Sequence, residues 1–276
     1  MNGQKAVVVG GTGGIGRALA HWLVAQGARV TTVGRSFRDE SMDKIEFVQA
    51  DLSTVAEQRR VAQVLPAKEV NLLVFTTGIL SSKRRETSSD GVEIDLAISY
   101  LSRYVILHGM AEQLGANLGT RSRVFVMAAP GKNVSFDLSD LNAERTYSQM
   151  AAHTQTVAGN EALVLDAAHR YPKIGVFGLN PGLVASGDIR APFLGGSDSL
   201  RFKVVEWLIG RLNPSPEGYA ARIGPTLVAP ELDAVSGLIF DPKGRRKSPS
   251  KNLTPERVAG FMSATEELLA DVPKAE

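Results

Sequence analysis

Residues Lys5, Ala6, Val7, Val8 and Val9 run directly into Gly10, Gly11, Thr12, Gly13, Gly14, Ile15 and Gly16, and then into the helical spacing Ala18, Leu19, Trp22, Leu23. Few folds accommodate a buried strand, a glycine-rich turn and an amphipathic helix in immediate succession. Glycine lets the backbone turn with positive φ and approach a ligand closely, and a helix N-terminus offers unpaired N–H groups at the positive end of its dipole. This order opens the first βαβ unit of a dinucleotide-binding sheet. The spacing of Gly10, Gly14 and Gly16 is GxxxGxG, distinct from the commoner GxGxxG. It predicts a dinucleotide held by Gly10, Thr12, Gly13, Gly14, Ile15 and Gly16.

Apolar runs at 6–9, 29–33, 46–49, 72–75, 124–127, 174–179 and 237–240 read as further strands, and helical patterns separate nearly all of them. That alternation predicts an α/β fold, a Rossmann-type doubly wound parallel sheet, with ligands at the carboxyl ends of the strands. A chain of 276 residues with 43% hydrophobic content is long enough for one large core, so residues 1–276 are expected to form a single domain. Residues 186–230 break the alternation and read as a helical lid insertion, whose Phe193, Phe202 and Trp207 supply an apolar face toward a bulky apolar substrate.

The composition excludes several classes. A net charge of +2 gives no nucleic-acid footprint, and the short cluster Lys243, Arg245, Arg246, Lys247 reads as a solvated loop. There is no cysteine for a disulfide or a thiolate zinc site, and the four histidines, His21, His108, His153 and His169, show no ligand spacing, so no metal is expected. The first strand starts close to Met1, and no apolar run reaches membrane-spanning length. The expectation is a cytoplasmic protein with no membrane partner, with homo-oligomerisation left open.

These residues resemble the short-chain dehydrogenase/reductase family, and within it the retinol-dehydrogenase-like branch, along nearly the whole chain. Gly10, Gly14 and Gly16 match the family's glycine loop, and Asp51-Leu52 the pair that meets the adenine. Asp90-Gly91-Val92-Glu93 followed by Ala97 resembles the entry to its central helix, and Gly78 is the one residue retained from its Asn-Asn-Ala-Gly segment. Asn180-Pro181-Gly182-Leu183-Val184-Ala185-Ser186 is similar to the PG motif. The resemblance implies cofactor contacts from Pro181, Gly182, Val184 and Ser186.

The family's catalytic tetrad of Asn, Ser, Tyr and Lys is replaced throughout. Alignment on the catalytic helix puts His153 at the tyrosine position and Val157 at the lysine position, Ala129 where the serine stands, and Ser99 where the asparagine stands. No Tyr-x-x-x-Lys exists in another register. His153 and Ser99 are therefore the catalytic candidates, since an imidazole titrates near neutrality and suits acid/base work, while Ala129 is left to shape the substrate space.

Cofactor preference is read at the end of the second strand, where an acid favours a ribose 2′-OH and a cation a 2′-phosphate. Here Arg35 and Ser36 stand with no acid before Asp39, which favours NADP(H). Without the tetrad, reduction of an ordinary ketone lacks its proton donor and oxyanion support. The expected function is an NADP(H)-dependent enzyme of specialised metabolism that reduces an activated, iminium-like substrate, as some biosynthetic relatives of the family do. Two alternatives stay open: a non-redox cyclase, isomerase or pericyclase with bound NADP(H), and a catalytically silent partner subunit.

Overall fold

Eight strands form one sheet in the order β3-β2-β1-β4-β5-β6-β7-β8, parallel except for the antiparallel pair β7-β8. The strands are β1 (Lys5–Val9), β2 (Arg29–Gly34), β3 (Ile45–Gln49), β4 (Val70–Phe75), β5 (Arg123–Met127), β6 (Gly175–Leu179), β7 (Ile239–Phe240) and β8 (Arg246–Lys247). The computed structural model describes residues 1–40, 42–80, 82–184 and 198–272. All seven strands expected from the apolar runs are present. The expectation of a solvated loop at Arg246-Lys247 is corrected, because β8 pairs Lys247 with Ile239 and Arg246 with Phe240. Both of its residues remain exposed, which is why no apolar pattern marks it.

The strands are apolar on both sides because the sheet is covered on both sides. Along β1, Val7 and Val9 face one core cluster while Ala6 and Val8 face another. The first cluster takes side chains from α2 (Val55–Val64), α4 (Ser102–Met110), α5 (Gln149–Arg170) and α8 (Pro255–Asp271), including Val61, Leu107, Leu163 and Phe261. The second takes Leu19 and Leu23 from α1 (Gly14–Ala25) and Tyr219 and Ile223 from α7 (Pro216–Leu227). The central helix enters through α3 (Ile94–Leu96) and a π-helical turn, Ala97–Leu101, before continuing as α4.

Helix starts follow local chemistry. Thr54, Ser148, Ser215 and Thr254 each accept a hydrogen bond from a backbone N–H in the first turn of α2, α5, α7 and α8, and Pro216 and Pro255 follow the last two caps. α1 differs, since Gly13 caps it with extended backbone and no side-chain hydrogen bond. Its first N–H groups are left for something other than the protein's own side chains.

The expected lid at 186–230 divides into unlike parts. Its last third, α7, is a core helix packed on α1, with Tyr219, Ala220, Ile223 and Leu227 buried. Residues 186–197 lie outside the described residues, and α6 (Leu200–Leu212) is peripheral, with Leu200, Val204 and Trp207 exposed.

On the opposite face, the buried carboxylate of Glu161 in α5 ties two distant segments together. It accepts from Gly131 N at 2.8 Å, in the loop after β5, and from Ser250 N and Oγ at 2.5 and 2.7 Å, ahead of α8. Glu161→Ala strands these donors in a buried setting and is expected to destabilise the fold by about 3 kcal/mol. Thermal unfolding should show a Tm drop on the order of 10 °C. Ser250→Ala removes two bonds, the donation to Glu161 and the acceptance from Asn133 N at 3.0 Å, and should cost about 1–2 kcal/mol.

Candidate functional site

Two adjoining clefts open at the carboxyl ends of the strands. The first is lined by Gly10, Thr12, Gly13, Gly14, Ile15 and Gly16 from the loop after β1, Arg35 after β2, Asp51 and Leu52 after β3, and Thr76 to Ile79 after β4. The second is lined by Ser99 and Arg103 from the central helix, Ala128, Ala129 and Lys132 after β5, His153, Thr156, Val157 and Asn160 from α5, and Asn180 to Val184 after β6. Ile15, Thr76, Gly78, Ile79 and Met127 line both.

The first cleft exists because Gly10 and Gly16 carry no side chains. Gly10 has φ +87°, and a Cβ there would lie 2.5 Å from Thr77 N; a Cβ on Gly16 would lie 2.2 Å from the Gly10 carbonyl oxygen. By contrast, nothing lies within 4 Å of where a Gly13 Cβ would sit, at the uncapped start of α1. An open backbone surface at a helix N-terminus fits a pyrophosphate. The loop therefore fits a dinucleotide on its own geometry.

At the far end of this cleft, Arg35 is exposed and its carbonyl accepts from Gln49 Nε2 at 3.1 Å. Ser36 is exposed and does not line the cleft. Behind them Asp39 is buried, chelated by Arg17 through Nε and Nη2 at 2.6–3.1 Å and reached by His21 Nε2 at 3.0 Å. This cluster pins the loop after β2 onto α1. Asp39, the first acid after the end of β2, is thus turned inward and paired.

The second cleft brings together the four residues aligned on the tetrad. Ser99, Ala129, His153 and Val157 all line it, with Pro181, Gly182 and Val184 on the opposite wall. Ser99 Oγ accepts from Ile79 N at 3.0 Å, which ties the loop after β4 to the central helix. The π-helical turn around Ser99 presents its carbonyl to Asn160 Nδ2 at 2.8 Å, and Asn160 also donates to the Thr156 carbonyl at 2.7 Å. Thus Ser99 is held through its hydroxyl by the Ile79 backbone and through its carbonyl by the Asn160 side chain.

His153 has a partner that the alignment on family positions does not reveal. Its Nδ1 lies 3.1 Å from Oδ2 of Asp95, a carboxylate with no exposed surface. Arg103 is also buried and donates through Nη2 to the Thr77 carbonyl. Burial pulls its pKa down to about 9, with the Asp95 charge pulling upward, so the guanidinium stays charged at neutral pH. The signal that could have found them is a polar stripe at spacing four, Asp95, Ser99 and Arg103, through an otherwise apolar helix. Lys132 and Asn160 are further cleft residues that the sequence reading missed.

The substrate candidates are scattered. Phe202 is buried and Trp207 is 61% exposed with the Arg211 guanidinium 5.7 Å from its ring, and neither lines the second cleft. Ser186 and Phe193 lie outside the described residues. Among the described residues no cluster of metal-ligating side chains occurs, and no helix is long and apolar enough to cross a membrane.

The hydrogen bond from Arg17, more than that from His21, holds Asp39 below the usual carboxylate range, against the opposing effect of burial. A depressed folded-state pKa adds stability above the unfolded value of about 3.9, and that stability is lost as pH falls through the folded value. The Tm of the wild type should exceed that of Asp39→Asn at neutral pH, and the gap should close on acidification below about pH 4. A gap that persists unchanged in acid would show that the pair contributes through packing alone.

Comparison with known proteins places this geometry. The family model for short chain dehydrogenase matches residues 4–116. An uncharacterized oxidoreductase of Saccharomyces cerevisiae is 44% identical over 272 residues, covering 96% of this chain and 87% of that protein. Human polyprenol dehydrogenase is 26% identical over 257 residues, covering 85% and 75%. Among solved structures, a short chain dehydrogenase family protein from Francisella tularensis superimposes with a TM-score of 0.64 at 16% identity, covering 86% of this chain and 96% of that one. The aldohexose dehydrogenase of Thermoplasma acidophilum gives 0.64 at 17%, covering 88% and 94%. The chain belongs to the short-chain dehydrogenase/reductase family of oxidoreductases.

Proposed function

We propose that this protein is an NADP(H)-dependent oxidoreductase acting on a bulky apolar substrate in the second cleft, with His153 as its proton-handling group. The observation that carries the reading is the placement of His153, paired to a buried carboxylate, in a cleft that shares five lining residues with the dinucleotide cleft. When bound, the nicotinamide would supply or accept the hydride. Gly10 to Gly16, with Asp51 and Leu52, would hold the dinucleotide, and Pro181, Gly182 and Val184 would bound its reactive end.

Arg35 supports the preference for NADP(H), because it is exposed at the cleft edge while Asp39 is turned away and occupied. Ile79, Leu80, Met127, Ala128, Ala129, Val157, Leu183 and Val184 give the second cleft an apolar lining, which suits an apolar substrate. The polyprenol dehydrogenases among the relatives, named for a long apolar alcohol, agree with that choice.

The losses in the tetrad alone favour a cationic, iminium-like acceptor, which needs no proton. The Asp95 partner of His153 favours instead an alcohol/carbonyl pair, since a proton-handling group serves a carbonyl and is idle toward an iminium. A role in specialised metabolism rests on the altered tetrad. In a non-redox cyclase the same residues would act without consuming cofactor, and that reading is separated by experiment.

Arg35→Asp should weaken NADP(H) binding at least about tenfold relative to NAD(H), by loss of a charge-assisted pair. Equal effects on both cofactors, in a fluorescence titration, would remove the proposed preference. With a panel of long-chain aldehydes, ketones and cyclic iminium ions, the wild type should oxidise NADPH on the carbonyl members. His153→Ala should lower that rate about a hundredfold or more at unchanged cofactor affinity. Product formed without loss of reduced cofactor would turn the assignment to non-redox chemistry.

A further inference from the structure

Asp95 is completely buried, and its one side-chain hydrogen bond among the described residues runs from Oδ2 to His153 Nδ1 at 3.1 Å. Its other oxygen, Oδ1, has no partner there. Arg103, two helical turns further along the central helix, is buried to the same degree and leaves Nε and Nη1 without partners while Nη2 holds the Thr77 carbonyl. No ion pair joins the two directly among the described residues. A carboxylate and a guanidinium withdrawn from water are costly to keep, and a fold can replace such a pair by apolar residues without loss of stability. Here Arg103 lines the cleft and Asp95 holds His153, which also lines it, and each retains unspent hydrogen-bonding capacity.

The imidazole resolves the arrangement. A neutral ring has one N–H and one lone pair, and the hydrogen bond made by one nitrogen decides the state of the other. A carboxylate can only accept, so Nδ1 must carry the hydrogen. Nε2 then holds the lone pair on a ring that is a third exposed and lines the cleft.

We propose that Asp95 is the positioning residue that fixes His153 with Nε2 presented to the substrate as the proton-transferring atom. This rests on the reading of His153 as the proton-handling group. In the reducing direction the imidazolium gives its Nε2 proton to the substrate oxygen as that oxygen gains charge from hydride addition at the neighbouring carbon. The ring is left neutral with its Nδ1 hydrogen still donated to Asp95, and a solvent proton at the exposed edge restores it. In the oxidising direction Nε2 takes the hydroxyl proton.

The test is the nitrogen spectrum of protein labelled with 15N-histidine, with the His153 signals identified by their loss in His153→Gln. In the wild type at high pH, the expected pattern is a protonated Nδ1 and a lone-pair Nε2. The Asp95→Asn variant should lose this single tautomer, and its rate of NADPH-dependent carbonyl reduction should fall tenfold or more at unchanged cofactor affinity. A hydrogen on Nε2 in the wild type would overturn the proposal even if Asp95→Asn does not fold. So would an Asp95→Asn protein with the wild-type tautomer and rate. If the tautomer is as expected but no member of the substrate panel oxidises NADPH, the oxidoreductase reading fails while the Asp95–His153 assignment survives.

Discussion

Backbone contact at the glycine loop governs where everything else can sit. Gly10 and Gly16 meet so closely that a single methyl group at either would overlap neighbouring backbone. The end of β1, the start of α1 and the segment after β4 therefore converge around the small Thr76 side chain, whose Oγ1 donates to the Val9 carbonyl. α1 begins directly above the carboxyl edge of the sheet, with its unclaimed N–H groups over the first cleft. Thr76 and Gly78 become a floor common to both clefts. The two clefts adjoin along Ile15, Thr76, Gly78, Ile79 and Met127.

Around that junction the protein handles charge in two ways. At the outer end, the half-exposed Arg17 and His21 close over the buried carboxylate of Asp39 and hold a loop in place. At the inner end, Asp95 and Arg103 are removed from water altogether. Charges buried at that cost are weak evidence of stabilisation, and they concentrate where chemistry needs them.

Much of this was legible in the residues. The seven principal strands stood out as apolar runs because both faces of the sheet are covered, and the glycine loop announced the first cleft. The convergence of Ser99, Ala129, His153 and Val157 could be anticipated because helix and strand ends place aligned residues reliably. Three things escaped. β8 is two exposed residues with no apolar signature. α7 looked like part of a lid, since its burial against α1 is a tertiary fact that periodicity cannot distinguish from burial against a substrate. Asp95 lay outside the positions at which the family concentrates its chemistry, so its meaning depended on a contact 58 residues away in the chain.

The π-helical turn at Ala97–Leu101 has a mechanical consequence. By presenting the Ser99 carbonyl to Asn160, it bolts the central helix to α5 at the depth of the second cleft, while Asp95 and His153 bolt them again nearer the mouth. Two such cross-braces oppose both sliding and rotation of one helix against the other. The wall that carries His153 thus behaves as a rigid jaw. Any discrimination among ligands of different girth would then fall to the Asn180 to Val184 segment, where Leu183 is largely exposed and changes of residue would leave the Asp95–His153 pair in place.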